Sequence, residues 1–271
     1  MIKILIILVN FALCLSNIYA KEDHLIHIGH STVLLHLNGL NIIIDPNWNN
    51  KDLFLKRITA PAFPVEKLPE LDLILISHGH FDHMDMPTLE KLTSLHKNVQ
   101  IILPEKLGRY LKYEKITNYR EVRPDRTIEF KGVRIKTYEA MHDGSRYLID
   151  GSSLSLCYLI KGEKNIFFTG DTGYKEMFKE IGEKERIDTA LIMIGGWKIP
   201  SFIQRSHLQP LEAVQVFMDL RAKQFIPIHY DTFPLGREKK GESIRLLKEA
   251  AQKAGISKKL IIRKFGTKIR L

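Results

Sequence analysis

Cysteine is almost absent from this chain, and the absence narrows its class. Of the two cysteines in 271 residues, Cys14 lies near the start and Cys157 stands in the apolar run Leu154, Leu156, Tyr158, Leu159. A chain left with Cys157 alone forms no internal disulfide, so a disulfide-stapled scaffold is excluded. Its neighbours make Cys157 a core residue and not a nucleophile. There is no low-complexity tract, no Gly/Ser linker and no break in composition, so nothing marks a second domain within the body of the chain. The apolar run Ile4 to Leu15 is short for a membrane span. Aromatic residues are not interleaved with basic ones, which argues against a base-stacking nucleic-acid surface.

What is present begins with a leader. Met1-Ile2-Lys3, an apolar stretch and Ser16-Asn17-Ile18-Tyr19-Ala20 form a secretory pattern, with cleavage after Ala20 or retention as an anchor. The expectation is a signal segment at 1–20, a single domain at 21–271, and a secreted or periplasmic product, membrane-associated if the anchor stays. Hydrophobic residues at 44% supply a sizeable core. The net charge of +10 is concentrated at one end. From Arg237 to Leu271 twelve lysines and arginines face only Glu238, Glu242 and Glu249, while the body before Arg237 is close to neutral. This part reads as a helix over Glu242–Ala254 followed by a hairpin-like stretch over Lys259–Leu271 turning at Gly266. Its charge suits an anionic membrane surface, or serves solubility alone.

The chemistry is concentrated in Ser77-His78-Gly79-His80-Phe81-Asp82-His83. The run Leu73-Ile74-Leu75-Ile76 before it reads as a buried strand emptying into a loop. A loop turns several side chains toward one point at a density that a regular helix or strand does not reach. Imidazole and carboxylate suit zinc, with iron or manganese as alternatives. Partners sit where further strands end: His142 after Gly132–Met141, Asp171 after Asn165–Gly170, and His229 after Phe225–Ile228. A weak internal echo relates Leu37–Asp45 to Ile160–Phe168.

On these residues the chain resembles the metallo-β-lactamase-fold hydrolases. Gly29-His30-Ser31-Thr32, Ile44-Asp45-Pro46, Phe167–Tyr174 and Ser206-His207 before Glu212-Ala213 are similar to one branch of them. That branch holds N-acylphosphatidylethanolamine-hydrolysing phospholipase D and the ascorbate-6-phosphate lactonases. The resemblance implies an α/β metallo-β-lactamase fold, a four-layer αββα sandwich. It implies one metal on His78, His80 and His142, a second on Asp82, His83 and His229, and Asp171 bridging two zinc ions, or iron or manganese. Hydroxide shared by the metals would attack, oriented by Asp82. His207 would contact the phosphate or protonate the leaving group, and His30 would support the ligands without being one. The region Ser153–Tyr158 lacks a tryptophan that relatives carry, which puts substrate fit in question. His24, His27, His36 and His96 read as surface or structural.

The function so implied is a phosphodiesterase of phospholipase D type, acting on N-acylphosphatidylethanolamine or another phospholipid or small phosphodiester. Trp197 and Phe202, with Phe54, Leu55, Ile58 and Phe63, are the candidate contacts for its acyl chains. The competing readings are a lactonase of a small sugar phosphate, a nuclease, and a metal-retaining protein without turnover.

Overall fold

The computed structural model describes residues 22–147, 153–198 and 206–271; the expected leader at 1–20 lies outside them. The first half runs β1 (His24–Gly29), β2 (Thr32–Leu37), β3 (Leu40–Ile44), a short hairpin of β4 (Lys51–Asp52) and β5 (Leu55–Lys56), β6 (Leu73–Leu75), α1 (Met86–Leu95), β7 (Gln100–Pro104), α2 (Gly108–Tyr113) and β8 (Tyr119–Val122). The second runs β9 (Thr127–Phe130), β10 (Val133–Glu139), β11 (Leu156–Lys161), β12 (Asn165–Phe168), α3 (Met177–Lys184), β13 (Thr189–Met193), α4 (Pro210–Asp219), β14 (Gln224–Ile228), α5 (Glu242–Lys253) and β15 (Lys268–Arg270). None of the described helices is long and apolar enough to cross a membrane.

Two sheets result, of order β15-β1-β2-β3-β6-β7-β8 and β14-β13-β12-β11-β10-β9. Alternation along the strands explains how they are covered. Leu35, Leu37, Ile42 and Ile44 join the large cluster that contains Tyr158 and Phe167 of the second sheet. Leu34 and Ile43, on the opposite face, pack with Leu89 and Leu92 of α1 and Leu111 of α2. Side chains one residue apart in a strand point to opposite faces, so one strand serves both clusters. The large cluster continues into Phe178 of α3, Val216 and Phe217 of α4, and Leu247 and Ala251 of α5. The layers are therefore helix, sheet, sheet, helix, the expected αββα sandwich.

The internal echo is structural. In each half an antiparallel pair (β2–β3, β11–β12) is followed by a parallel neighbour, β6 or β13. Asp45 follows β3 directly, and Asp171 comes three residues after the end of β12, the equivalent strand of the second sheet. The parallel strands β6 and β13 are buried along their whole length, as strands covered on both faces are. Cys157 is fully buried, as the sequence predicts.

The C-terminal end differs from expectation. The helix is present as α5, but Lys259–Leu271 is not a hairpin. Ile261 N–H donates to Phe225 O at 2.8 Å, beside β14 at the edge of the second sheet. After the turn at Gly266, where φ is +87°, β15 pairs antiparallel with β1 of the first sheet. The second arm extends the first sheet and buries Ile269 opposite Leu25, while the first lays the half-buried Leu260 and Ile261 beside β14.

Candidate metal centre

The centre is assembled where strands stop. β6 delivers Ser77 and His78, and α1 begins at Met86 under the cap of Asp85, whose Oδ2 accepts the Thr88 N–H at 3.2 Å. The histidine loop is held between these anchors. Gly79 donates to Gly144 O at 2.9 Å, and a Cβ there would lie 2.7 Å from that oxygen, so the middle of His-Gly-His has no room for a side chain. Arg146 closes the loop from the other side. Its Nη1 donates to Gly79 O (3.0 Å) and Met84 O (2.7 Å), and its guanidinium lies 4.1 Å over the Phe81 ring.

The sequence-predicted ligands converge in overlapping groups. His80 Nδ1 lies 3.0 Å from His78 Nε2 and 3.1 Å from His142 Nε2. Asp82 Oδ2 lies 3.4 Å from His83 Nε2 and 3.5 Å from His229 Nε2. Asp171 Oδ2 is 3.3 Å from His83 Nε2, 3.0 Å from His229 Nε2 and 3.3 Å from His207 Nε2. His30, given only a supporting place by the sequence, stands as near as the ligands, its Nε2 2.8 Å from Asp82 Oδ2. His30, Asp45 and His229 all follow strands with φ between +43° and +58°, left-handed geometry that costs energy in non-glycine residues and clusters at functional sites.

The residues fit metal ions. His83 Nε2, His229 Nε2 and Asp171 Oδ1 are buried without a hydrogen-bond partner, an arrangement that is costly unless something coordinates them. Two far ring nitrogens are fixed: His83 Nδ1 donates to Asp45 Oδ2 (2.7 Å), and His142 Nδ1 donates to Ser206 O (3.2 Å). Such bonds set the tautomer that aims Nε2 inward. Burial holds His78 and His142 well below the usual imidazole range, and His80 below it, leaving lone pairs free to coordinate. Burial would raise Asp171, but the charges of His229 and His83 hold it well below the carboxylate range; Asp82 is held low by the charge of His83 and by the bond from His30.

A cleft of about 780 Å³ opens onto the centre, lined by Leu53, Phe81, Leu235, Arg146, Asp52 and His207 among others. Burial, then the charge of Asp82, raises Asp52 to about 7. Phe202 lies outside the described residues. Trp197 is not part of the described lining: beyond the turn at Gly196 its indole N–H donates to Ser243 Oγ of α5 at 3.0 Å. Phe63 also points elsewhere, packing beside the α1 cluster. His27 and His36 are buried structural residues; His27 Nε2 donates to His30 O at 2.7 Å. Sequence reasoning missed Arg146, Asp52 and the hold of Asp45 on His83. Arg146 follows His142 by four residues, and that proximity was the available signal.

Fold and centre together are those of the metallo-β-lactamase fold, with a His/Asp cluster able to hold metal. The model of the beta-lactamase superfamily domain matches residues 40–230, and the chain belongs to that superfamily. It is 34% identical over 227 residues to the N-acyl-phosphatidylethanolamine-hydrolyzing phospholipase D 1 of Caenorhabditis elegans, covering 77% of this chain and 64% of that one. It is 31% identical to a metal-dependent hydrolase of Geobacillus, over 81% of this chain and 90% of the other. A solved metallo hydrolase from Ignicoccus hospitalis superposes with a TM-score of 0.73 at 22% identity, covering 93% and 99% of the two chains. The chain spans somewhat under two thirds of the length of the first curated relatives it matches, 64% and 63%.

Proposed function

We propose that the protein is a dinuclear phosphodiesterase of phospholipase D type, acting on N-acylphosphatidylethanolamine or a related phospholipid. One observation carries the reading: the cleft over the ligand groups is walled by Leu53, Phe81 and Leu235, an apolar extent that an acylated substrate uses and a sugar phosphate does not. Identity with the nematode phospholipase supports the same substrate class. The polar side of the cleft, with Asp52, Asp143 and Ser145, favours a lactonase of a small polar substrate as the second reading.

Each side chain takes a part set by its place. His78, His80 and His142 would hold one ion, and Asp82, His83 and His229 the other. Asp171 stands between, grouped with His78 and His83 on one side and with His142 and His207 on the other. Two zinc ions there, or iron or manganese, would supply Lewis acidity to the phosphoryl group and to the attacking water. His30 keeps Asp82 Oδ2 directed at the centre. His207 reaches the centre from the cleft wall and donates a proton to the ethanolamine oxygen. The water oxygen bonds to phosphorus, one water proton returns to His207, and the P–O bond to the ethanolamine oxygen breaks. Its electron pair accepts the proton, leaving phosphatidic acid and an N-acylethanolamine. We take residues 21–271 as one catalytic unit, exported after cleavage at Ala20, with its basic C-terminal stretch toward an anionic membrane. Hydrolysis in water enriched in heavy oxygen should place the label in phosphatidic acid. Label in a released fatty acid or an opened lactone would contradict the reading.

A further inference from the structure

The β4–β5 hairpin ends in two apolar residues that pack on little. Leu53 is 59% exposed and Phe54 97%. Leu53 has φ +48°, a conformation that glycine or asparagine ordinarily supplies at a hairpin turn. A leucine kept there holds an apolar group outward against its backbone preference. The register pairs Lys51 with Lys56 and Asp52 with Leu55. Lys51 and Lys56 therefore share the outer face, while Asp52, which is buried, turns to the cleft with Leu53. The base of the hairpin is firm: Arg57 Nη2 donates to Asn47 Oδ1 (2.7 Å), and Ile58 N–H donates to Thr232 O (2.8 Å). Ile58, 45% exposed, shares a shallow depression with Lys239 and Lys240. None of these four lysines forms a side-chain ion pair among the described residues.

An apolar tip ringed by unpaired cations, on a firm base at the mouth of a cleft, has the chemistry of an interfacial anchor. We propose that this hairpin inserts into an anionic lipid bilayer surface. Phe54 enters the acyl region, Leu53 stays at the lip of the cleft, and Lys51, Lys56, Lys239 and Lys240 meet the anionic headgroups. Insertion sets the mouth of the cleft at the interface, so a lipid reaches the centre without leaving the bilayer. This deepens the phospholipid reading and rests on it for the substrate. The basic ring adds attraction that weakens as salt shortens the Debye length.

The test uses the full chain, loaded with metal, and vesicles of phosphatidylcholine with and without phosphatidylglycerol. Phe54→Ser should weaken partitioning to the anionic vesicles about tenfold or more, since a phenyl group loses its burial. Turnover of a soluble short-chain phosphodiester should be unchanged when Lys51 and Lys56, which face away from the cleft, are both replaced by Glu. Phe54→Trp should shift its emission to the blue on anionic vesicles, beyond any shift of the parent protein, and be quenched by brominated lipid. Lys51→Glu with Lys56→Glu should remove much of the preference for phosphatidylglycerol. Emission of the Phe54→Trp variant that does not move on vesicles binding the protein would place attachment elsewhere and overturn the proposal. So would Phe54→Ser raising KM for the soluble diester with partitioning intact, which would make the hairpin a flap over the cleft. Insertion without any phospholipid hydrolysis would sink the phospholipase reading and leave the anchor standing.

Discussion

Asp45 shows how much of the centre depends on single residues outside the ligand set. Its buried carboxylate accepts the Ser77 N–H (2.7 Å) and Oγ–H (2.6 Å) and holds His83 Nδ1 at 2.7 Å. Asp45→Asn keeps the size but presents an N–H where an acceptor is needed. Metal affinity should fall about 10- to 100-fold, read by competition with a chelator; unchanged affinity would mean that Ser77 alone orients the ring. At this scale the sequence was legible where chemistry is local. His78, His80, Asp82 and His83 stand in one heptapeptide, and His142, Asp171 and His229 each follow an apolar strand. Arg146 and Asp52 were not legible, because their partners lie across the fold: Arg146 donates to Gly79 and Met84, more than sixty residues away. Trp197 was misplaced for the reverse reason, since an aromatic beside a site loop says nothing about which way the loop turns.

Among the elements, α1 ties the histidine loop to the hairpin. Asp85 caps the helix through Thr88, and its Oδ1 accepts from Asn49 Nδ2 at 3.3 Å. Asp85→Ala should destabilise the protein by about 1 kcal/mol in urea unfolding, the usual worth of an N-cap. No change would mean that packing of Leu89 and Leu92 alone holds the helix. Strand and helix positions were legible from apolar runs, with α5 at Glu242–Lys253 where the pattern predicts it. The pairing of β15 was not. A short basic strand carries no mark of its partner, and β1 lies at the other end of the chain. The turn at Gly266 was visible; which edges its two arms complete depends on sheets that exist only after folding.

For the whole molecule, folding without metal stores protons at the centre. Burial would lower His229, but Asp171 raises it from 6.5 to about 9, and the three aspartates around His83 raise that ring as well. A raised imidazole stabilises the fold fully below its unfolded value and loses that contribution as pH passes the folded value. The metal-free protein should therefore lose thermal stability as pH rises from 6.5 to about 9. Reloading with zinc should release protons and flatten the trend. A metal-free protein whose melting temperature is constant over that window would contradict the charge arrangement. The charge asymmetry of the chain was legible in composition, but the exposed hairpin beside the cleft, with Phe54 97% exposed, is seen only in the folded structure. The central claim, metal-dependent hydrolysis of an acylated phosphodiester, is tested most directly by turnover of the metal-loaded protein on four substrates. These are N-acylphosphatidylethanolamine, a generic phosphodiester, a sugar-phosphate lactone and a β-lactam. The account predicts the highest kcat/KM on N-acylphosphatidylethanolamine, abolished by chelation and restored by zinc; preference for the lactone, or turnover that survives chelation, would contradict it.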